Sequence, residues 1–483
     1  MHMGSGIVMI PWSDLPKELV ERIGKFLDTH IDVLRFRAVC TTWRSSLPPF
    51  KNSPPLPLKI PFPLLNLNPD TAKPEFYHLI DSTVYLFQPP DGAAPTANSS
   101  CKGWLIKVIK TADGKLRVLN PLTDRLIKDL PDNMPKVLNL LDFRVSQVCK
   151  SYHVQSLNNS RLSYGDYDVG YVRKILLLTN HAESETNNFS IMAIDRGDSL
   201  YYINLGDEKW TRLKNASCFI VDIIVYKGNF YAVDRYGETI KFDNSFNETN
   251  VASRLSYGGR KKRLVESCGQ LFLVDTILGV DKNTNAACPD WNIVEIKMYR
   301  LDEEQHEWIE VVTLGDRILF ACNDCCFSVS SHDFDDCRGN CIYYVNGWEY
   351  YDDESDDDLG CGCCCGFNDD DNRPTIGDDM TYNSSVSDDD HKIYDFDSKS
   401  GDDAIRSSIS YDNHKINDSS SKSGLVHGYE GLFDQNTCVF NVEDGKLGSL
   451  LSFLEYAEIL WPPPYWLTRQ DQAHSDSHEI TEP

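Results

Sequence analysis

The sequence lacks any long apolar run. No stretch approaches the roughly 20 apolar residues that a membrane-spanning helix needs, and the N-terminus MHMGSGIVMIPW has neither the basic segment nor the apolar length of a secretory signal. These absences predict an intracellular protein, in the nucleus, the cytoplasm or both, with no membrane partner. The 16 cysteines are then expected to be reduced thiols.

Positive charge is also scarce. The chain has 47 Lys and Arg against 73 Asp and Glu, which gives a formal net charge of -26 at pH 7. General binding to a phosphate backbone depends on clustered Lys and Arg, so we expect no nucleic-acid partner. One basic run, GGRKKR at 258–263, has the composition of a nuclear import signal or a phosphate contact. We interpret it instead as an exposed loop between strands.

Catalytic signatures are missing as well. The sequence has no H-E-x-x-H metal motif, no P-loop, no glycine-rich dinucleotide fingerprint and no G-x-S-x-G nucleophile motif. Its 12 histidines are scattered, mostly in predicted loops. The sequence therefore predicts a chain without enzyme activity and without a cofactor.

Residues 11–48 have the spacing of short helices. Pro16 suits a first helical turn, where a missing N–H is no loss, and apolar side chains then recur at helical intervals. Asp32 is predicted to cap a second helix, and Thr41 or Thr42 to begin a third. Because three short helices cannot bury a large core, we expect this unit to offer apolar side chains to a partner.

The regions 76–348 and 431–467 are predicted to be all β, after a Pro- and Asn-rich linker, 49–75, with short extended pieces. Five sequence segments, each with a strand, a tight turn and a second strand, recur with a repeat length of about 40 to 50 residues. Such a repeat is typical of the blades of a β-propeller. An up-and-down barrel or a sandwich is the alternative. We predict five to seven blades, with six as the best estimate. Residues 76–88 are expected to complete the last blade and to close the ring, and 468–483 to form a tail.

Residues 349–430 differ from the rest in composition. They contain 22 Asp and Glu against 6 Lys and Arg, which predicts a disordered acidic insertion in the last blade. The run GCGCCCG within it is interpreted as low complexity, because adjacent cysteines cannot all face one ion. The Asp runs do not follow the order of a calcium-binding loop.

Four other cysteines have a spacing that would suit a tetrahedral zinc ion with thiolate ligands. They are Cys322, Cys325, Cys337 and Cys341. We favour reduced structural thiols, because residues 322–329 are predicted to form a strand with thiols on both faces. On that interpretation the chain holds no metal.

The stretch WSDLPKELVERIGKFLDTHIDVLRFRAVCTTWRSSLP, 12–48, resembles an F-box, with its Leu-Pro opening and its later VCTTWR. The resemblance implies three helices whose apolar faces dock onto the Skp-type adaptor of a cullin–RING ubiquitin ligase. The adaptor-binding residues that it implies are Leu15, Pro16, Leu19, Ile23, Leu27, Leu34, Val39, Cys40 and Trp43.

Phrases in the β region resemble the plant F-box subfamily with a KIB-type β-propeller, formerly a domain of unknown function: GWLIKV, RVLNPLTDRLIKDLP, LGDRILF, GNCIYYV and WPPPYW. The resemblance implies an α + β multidomain chain, a small three-helix F-box followed by an all-β propeller. It implies a non-catalytic substrate-receptor subunit of an SCF-type E3 ligase, with the adaptor, through it a cullin, and a protein substrate as partners. The alternatives are a propeller scaffold with a lapsed F-box and, third, a propeller enzyme with a polar or metal-lined funnel.

Overall fold

A computed structural model gives the fold of the chain. The residues that it describes are 12–27, 29–49, 54–61, 76–89, 103–110, 116–127, 134, 143–156, 172–180, 188–213, 219–256, 258–259, 261–280, 291–334, 337–345, 437–450 and 454–468. They form a helical unit followed by five β-sheets. Among these residues, no helix has both the length and the apolar character to span a membrane.

The N-terminal helical unit contains three short helices after a single turn of 3-10 helix. They are α1 (Lys17–Gly24), α2 (His30–Ala38) and α3 (Thr41–Ser46). The cap of α2 is Thr29 and not the predicted Asp32. Thr29 has the extended backbone that an N-cap needs, and its hydroxyl oxygen accepts from the backbone N–H of Asp32 at 3.1 Å. Asp32 lies one turn further on, where its carboxylate accepts from the same hydroxyl at 2.5 Å.

A break separates α2 from α3. Cys40 has an extended backbone and caps α3, and its Sγ accepts from the backbone N–H of Trp43 at 3.5 Å. This turn brings the Trp43 ring back onto Phe36, with the ring centroids 4.6 Å apart. Together with Val20, these two rings make up the small buried core of the unit.

The first three sheets contain thirteen strands. The first has β1 (Leu58–Pro61), β2 (Phe76–Gln88), β3 (Trp104–Lys110), β4 (Leu116–Leu119) and β5 (Arg144–Ser156). The second has β6 (Val172–Asn180), β7 (Asn188–Asp195), β8 (Leu200–Asn204) and β9 (Thr211–Arg212). The third has β10 (Ile220–Tyr226), β11 (Asn229–Asp234), β12 (Thr239–Phe242) and β13 (Glu248–Ala252).

The last two sheets are followed by two short helices. The fourth sheet has β14 (Lys261–Ser267), β15 (Gln270–Val280), β16 (Trp291–Asp302) and β17 (Glu307–Glu310). The fifth has β18 (Arg317–Ala321), β19 (Cys326–Ser330), β20 (Cys341–Val345), β21 (Thr437–Asn441) and β22 (Leu447–Ser449). The helices are α4 (Leu454–Ala457) and α5 (Tyr465–Thr468). The predicted insertion, with its GCGCCCG run, connects the paired strands β20 and β21 and lies outside the described residues.

The five sheets are the blades of a closed propeller. One strand of each sheet, β5, β6, β10, β14 and β19, contacts its neighbour in the next sheet, and β19 contacts β5. The predicted propeller is therefore confirmed, and the best estimate of six blades is wrong. Residues 76–88 do not complete the last blade, because both edges of β2 are already occupied: β5 pairs along one edge, and β1 and β3 share the other. β1 is one of the short extended pieces expected in 49–75.

The basic run at 258–263 does not form the exposed loop that the sequence predicted. Lys262 and Arg263 lie in β14, one of the strands that line the ring, and Lys262 is only 1% exposed. Its Nζ lies 2.8 Å from Oδ1 of Asp275, and Arg263 donates to Oδ1 of Asn323 at 3.1 Å. A strand of one blade is covered on both faces by the neighbouring blades. The partners of Lys262 and Arg263 offset the free-energy cost of burying their charges.

The helical unit packs against the first blade. Ile31 of α2 is buried in an apolar cluster that also contains Phe87, Trp104, Phe143 and Leu467. Leu467 belongs to α5, so the C-terminal segment takes part in this contact.

Candidate functional site

Large apolar side chains are exposed on the first helix of the helical unit. Leu19, Ile23 and Phe26 are 48%, 38% and 78% exposed. Their spacings of four and three residues place them on one side of α1 and of the turn that follows it. We call these three residues the α1 stripe. Val39, between α2 and α3, is another exposed apolar residue, at 50%.

The α1 stripe stays exposed because the unit is too small to cover it. α1 directs Val20 and Gly24 inward, toward Trp43 and Leu47. α1 is an eight-residue helix with one buried side, so its opposite side faces solvent. Apolar area of this kind is stabilised when a partner removes it from water.

The nine residues expected to bind the adaptor fall into three groups. Pro16, Leu19, Ile23 and Val39 are exposed. Leu15, Leu27, Leu34 and Cys40 are half-buried, and Trp43 is buried. Trp43 thus lies in the core of the unit, where its Nε1 donates to the carbonyl oxygen of Trp12 at 3.2 Å. The sequence-based set omitted Phe26, although Phe26 follows Ile23 at helical spacing.

The arginines near the break between α2 and α3 hold the helices together. Arg37 donates to the carbonyl oxygen of Arg44 at 2.9 Å and to that of Leu47, and Arg44 donates back to the carbonyl oxygen of Arg37 at 3.1 Å. Arg35 donates to the carbonyl oxygen of Phe143, at 3.4 Å, in the first blade. These guanidinium groups therefore serve the fold of the unit and its contact with the propeller.

Comparison with known families agrees with both parts of this architecture. A family model of the F-box domain matches residues 12–48. A family model of the KIB1-4 beta-propeller matches residues 76–376, more than half of the chain. The chain belongs to the KIB1-4 β-propeller family. Its F-box lies N-terminal to the family's propeller, as the resemblance implied.

This F-box propeller protein is similar along most of its length to curated plant proteins. F-box protein SKIP23 of Arabidopsis thaliana is 26% identical to it over 98% of this chain and 99% of the relative. Putative F-box protein At5g60060 of the same plant is 33% identical over 70% of this chain and 89% of the relative. F-box protein At2g26160 is 27% identical over 69% of this chain and 95% of the relative.

The propeller holds a second group of polar side chains, at the seam between the first and last blades. Lys107 of β3 is fully buried, and its Nζ lies 2.8 Å from Oδ1 of Asp124 and also bonds Asp324. Burial alone would lower the pKa of Lys107, but the carboxylates of Asp124 and Asp324 raise it well above its ordinary value. Burial alone would raise the pKa of Asp324, but Lys107 and His153 hold it far below its ordinary value.

Within the described part of the chain, Asp124, His153 and Asp324 have ligand atoms close enough to hold a metal ion, all within 4.8 Å of one another. Lys107 pairs with both carboxylates, so its ammonium group already offsets one of their two negative charges. A divalent cation there would meet this buried positive charge. The geometry therefore favours an ion-pair network that joins β3, β5 and the turn before β19.

Ser82, His153 and Asp124 at this seam are the residue types of a hydrolase Ser-His-Asp triad, but they lack the geometry of one. Ser82 Oγ lies 2.9 Å from Nε2 of His153, but Nδ1 of His153 is 3.9 Å from Oδ2 of Asp124, beyond hydrogen-bond range. Ser82 is buried within β2, between β3 and β5, and its hydroxyl also bonds Ser151 at 2.7 Å. Substrate would not reach this hydroxyl, so the group does not support a propeller enzyme.

The four candidate zinc ligands do not converge among the described residues. Residues 322–325 form the turn between β18 and β19, Cys341 lies in β20, and no metal-holding group in this part contains a cysteine. Cys322 donates to the carbonyl oxygen of Pro121 at 3.6 Å, whereas Cys337 and Cys341 both donate to the carbonyl oxygen of Arg338, at 3.9 Å and 3.4 Å. Burial raises the pKa of Cys337 to about 11 and that of Cys322 well above its ordinary value, which favours neutral thiols.

Proposed function

We propose that this F-box propeller protein is a substrate-receptor subunit of an SCF-type cullin–RING E3 ubiquitin ligase. The observation that carries the proposal is the exposed α1 stripe, on a helical unit that matches the F-box domain. The unit would bind a Skp-type adaptor and, through it, a cullin. The propeller would recruit a protein substrate.

The α1 stripe suits a helix-in-groove contact. Side chains at i, i+4 and i+7 enter one groove of a partner side by side. A few large residues usually dominate the affinity of such a contact. Phe26 and Leu19 are the most exposed members of the α1 stripe, and Pro16 and Val39 are further exposed apolar residues of the helical unit.

The propeller would act by position and not by chemistry. Ubiquitin transfer would take place on other subunits, and the receptor would raise the local concentration of its substrate near them. The contact of Ile31 and Arg35 with the first blade supports this role, because it fastens the adaptor-binding unit to the substrate-binding part.

Affinity capture from cells tests the ligase role against the scaffold alternative. A tagged full-length chain is expected to capture a Skp-type adaptor and a cullin, and proximity labelling should show partners that accumulate when the proteasome is inhibited. Leu19→Ala combined with Phe26→Ala should lose this capture, and the matched control Leu116→Ala in β4, which changes a leucine that is also exposed, at 69%, should keep it. Capture of partners without adaptor or cullin, and with no response to proteasome inhibition, would support a scaffold with a lapsed F-box.

A further inference from the structure

A strip of arginine side chains crosses one end of the second and third blades. We call it the arginine strip, and its members are Arg173, Arg196, Arg212, Arg235 and Arg254. The turn between β7 and β8, which carries Arg196, joins several of them. Ser199 of this turn accepts from Arg212 at 2.9 Å. Asp198 of the same turn pairs with Arg173 and lies 3.6 Å from a guanidinium nitrogen of Arg235, so that one carboxylate serves two guanidinium groups.

Aromatic rings continue the arginine strip across the third blade. The guanidinium carbon of Arg235 lies 3.9 Å from the ring centroid of Phe219. Phe219 meets Tyr236 edge to face, with the centroids 6.3 Å apart, and the guanidinium carbon of Arg254 lies 5.0 Å from the centroid of Tyr236. Tyr236 is 45% exposed. Arginine and tyrosine are the residue types that dominate many protein interfaces, and the rings support the guanidinium planes.

The charge that this surface presents to solvent is positive. Arg196, Arg212 and Arg254 are exposed. The carboxylates of the same turns are half-buried or buried, and they belong to Asp195, Asp198, Asp234 and Glu238. In a chain with a net charge of -26, the arginine strip is therefore a local surface that is complementary to carboxylates of a partner.

The arginine strip lies at the end of the propeller where β6, β10, β14 and β19 begin. Lys174 of β6 lies 2.7 Å from Asp222 of β10, and the same carboxylate accepts from the backbone N–H of Leu264 in β14 at 2.8 Å. Arg263 of β14 bonds the turn that leads into β19. Arg173 is the residue before Lys174, which places the strip at this end.

The helical unit contacts the opposite end. β19 ends at Ser330, and Oδ1 of Asp333, three residues later, accepts from the side-chain amide of Gln88 at 3.2 Å. The residue before Gln88 is Phe87, which lies in one apolar cluster with Ile31 of α2. Because β19 has five residues, its two ends are about 17 Å apart. The arginine strip and the helical unit thus lie at different ends of the propeller.

We propose that the arginine strip binds an acidic segment of the protein substrate, with Asp and Glu side chains that pair with the exposed guanidinium groups. The inference rests on the proposed receptor function and names the chemistry of the substrate segment. A guanidinium group holds a carboxylate through two parallel N–H donations, and the exposed ring of Tyr236 offers an apolar contact beside them. A segment bound here lies away from the α1 stripe, so that adaptor and substrate bind the chain together.

Peptide selection on the full-length protein tests the proposal. A displayed library of random short peptides is selected on the immobilised wild type, and the recovered peptides are synthesised and titrated by fluorescence anisotropy. We expect the recovered peptides to be richer in Asp and Glu than the library, and their affinity to fall with rising salt, because the contact is between charges at a surface. Recovery of peptides without an excess of Asp and Glu would overturn the proposal.

Charge reversal at two exposed positions locates the binding surface. Arg196→Glu combined with Arg254→Glu should weaken binding of the selected acidic peptides by at least about tenfold, a loss typical of important interface residues. The matched control, Lys227→Glu combined with Arg338→Glu, makes the same change of net charge at exposed positions outside the strip and should keep the affinity. Both double variants should keep the thermal midpoint of the wild type, because all four side chains are exposed. Equal affinity of the wild type and the strip variant would overturn the proposal.

A single-stranded DNA oligonucleotide distinguishes an acidic peptide from a nucleic acid as the occupant. The net charge of -26 repels a long polyanion from the rest of the chain, which favours a short acidic segment. The oligonucleotide should therefore fail to displace a selected peptide at equal concentration. Displacement that is as complete as that by unlabelled peptide would overturn the choice of a protein segment.

Adaptor binding measured on the same samples separates this proposal from the receptor function. The Arg196→Glu and Arg254→Glu variant should bind a Skp-type adaptor as the wild type does, because its substitutions lie away from the α1 stripe. A wild type that binds acidic peptides but no adaptor would contradict the receptor function and leave the arginine strip as a peptide-binding surface. A wild type that binds the adaptor but selects no acidic peptides would overturn the strip alone.

Discussion

Single residues in the helical unit divide between those that hold it together and those that stay exposed to solvent. Trp43 and Leu19 both fit the F-box pattern in the sequence. The structure buries Trp43 against Phe36 and leaves Leu19 48% exposed. Helical spacing identified Leu19 and Ile23 as members of one face. Spacing did not show that Trp43 turns inward, because that depends on the break at Cys40.

Trp43→Ala should therefore act on stability. The substitution removes the ring that packs 4.6 Å from Phe36 and the hydrogen bond to Trp12. We expect a loss of about 3–5 kcal/mol in the helical unit, the usual cost of deleting a buried large side chain. Hydrogen exchange of the α1 to α3 amides measures it, and Leu19→Ala serves as the control with little change. Equal protection of these amides in the two variants would contradict the assignment.

Gly259→Ala tests a close approach of two backbones in the fourth blade. A Cβ at Gly259 would lie 1.9 Å from the carbonyl oxygen of Thr276, and backbone cannot move aside as a side chain can. We expect a lower urea midpoint for the propeller, in line with core overpacking that costs about 1–3 kcal/mol or more. Gly197→Ala, where the nearest atom is 3.4 Å away, is the matched control and should leave the midpoint unchanged.

For the secondary-structure elements, the sequence predicted which neighbouring strands pair, but it did not predict how the propeller ring closes. Each of the five strand-turn-strand phrases lies within one blade, because turn residues and alternating apolar residues are local signals. The role of 76–88 depended on long-range pairing with β5, which local patterns do not encode. The basic run at 258–263 misled in part for the same reason, because Asn323, the partner of Arg263, is 60 residues away in the sequence.

One substitution tests the packing contact between α2 and the first blade. Ile31→Ser places a hydroxyl among Phe87, Trp104 and Phe143 and should loosen α2 from the propeller. We expect faster hydrogen exchange in α2 and in the facing part of β5. Adaptor affinity should stay within about twofold, because Ile31 lies outside the α1 stripe. Ile31→Val should keep the slow exchange, and unchanged exchange in Ile31→Ser would show that the contact does not hold the unit.

The stability of the whole molecule depends on the polar seam between the first and last blades, and the charges of this seam limit the pH range over which it contributes to stability. The pKa of Asp324 is depressed by Lys107 and His153, so its contribution to stability is present above its ordinary pKa of 3.8 and is lost as the pH falls toward its depressed value. The pKa of Lys107 is raised by the carboxylates, so its contribution is present below its ordinary pKa of 10.5 and is lost only at more alkaline pH. The seam should be most stable between these limits.

Lys107→Met should shift the acid side of this window. Without the ammonium, burial raises the pKa of Asp324, so the acid-induced loss of stability should begin at a higher pH than in the wild type. Thermal unfolding followed across acid pH measures the onset. Lys110→Met, at an exposed position of the same strand, is the control. The same onset in Lys107→Met and in the wild type would mean that the ion pair does not depress the pKa of Asp324.

The most direct test of the receptor function is the affinity of the purified full-length chain for a purified Skp-type adaptor, measured by calorimetry. We expect specific binding by the wild type, a loss of at least about tenfold for Leu19→Ala combined with Phe26→Ala, equivalent to about 1.4 kcal/mol, and no loss for Leu116→Ala. Unchanged affinity in the double variant would remove the α1 stripe as the docking surface. Absence of binding by the folded wild type would contradict the proposed role as a substrate receptor.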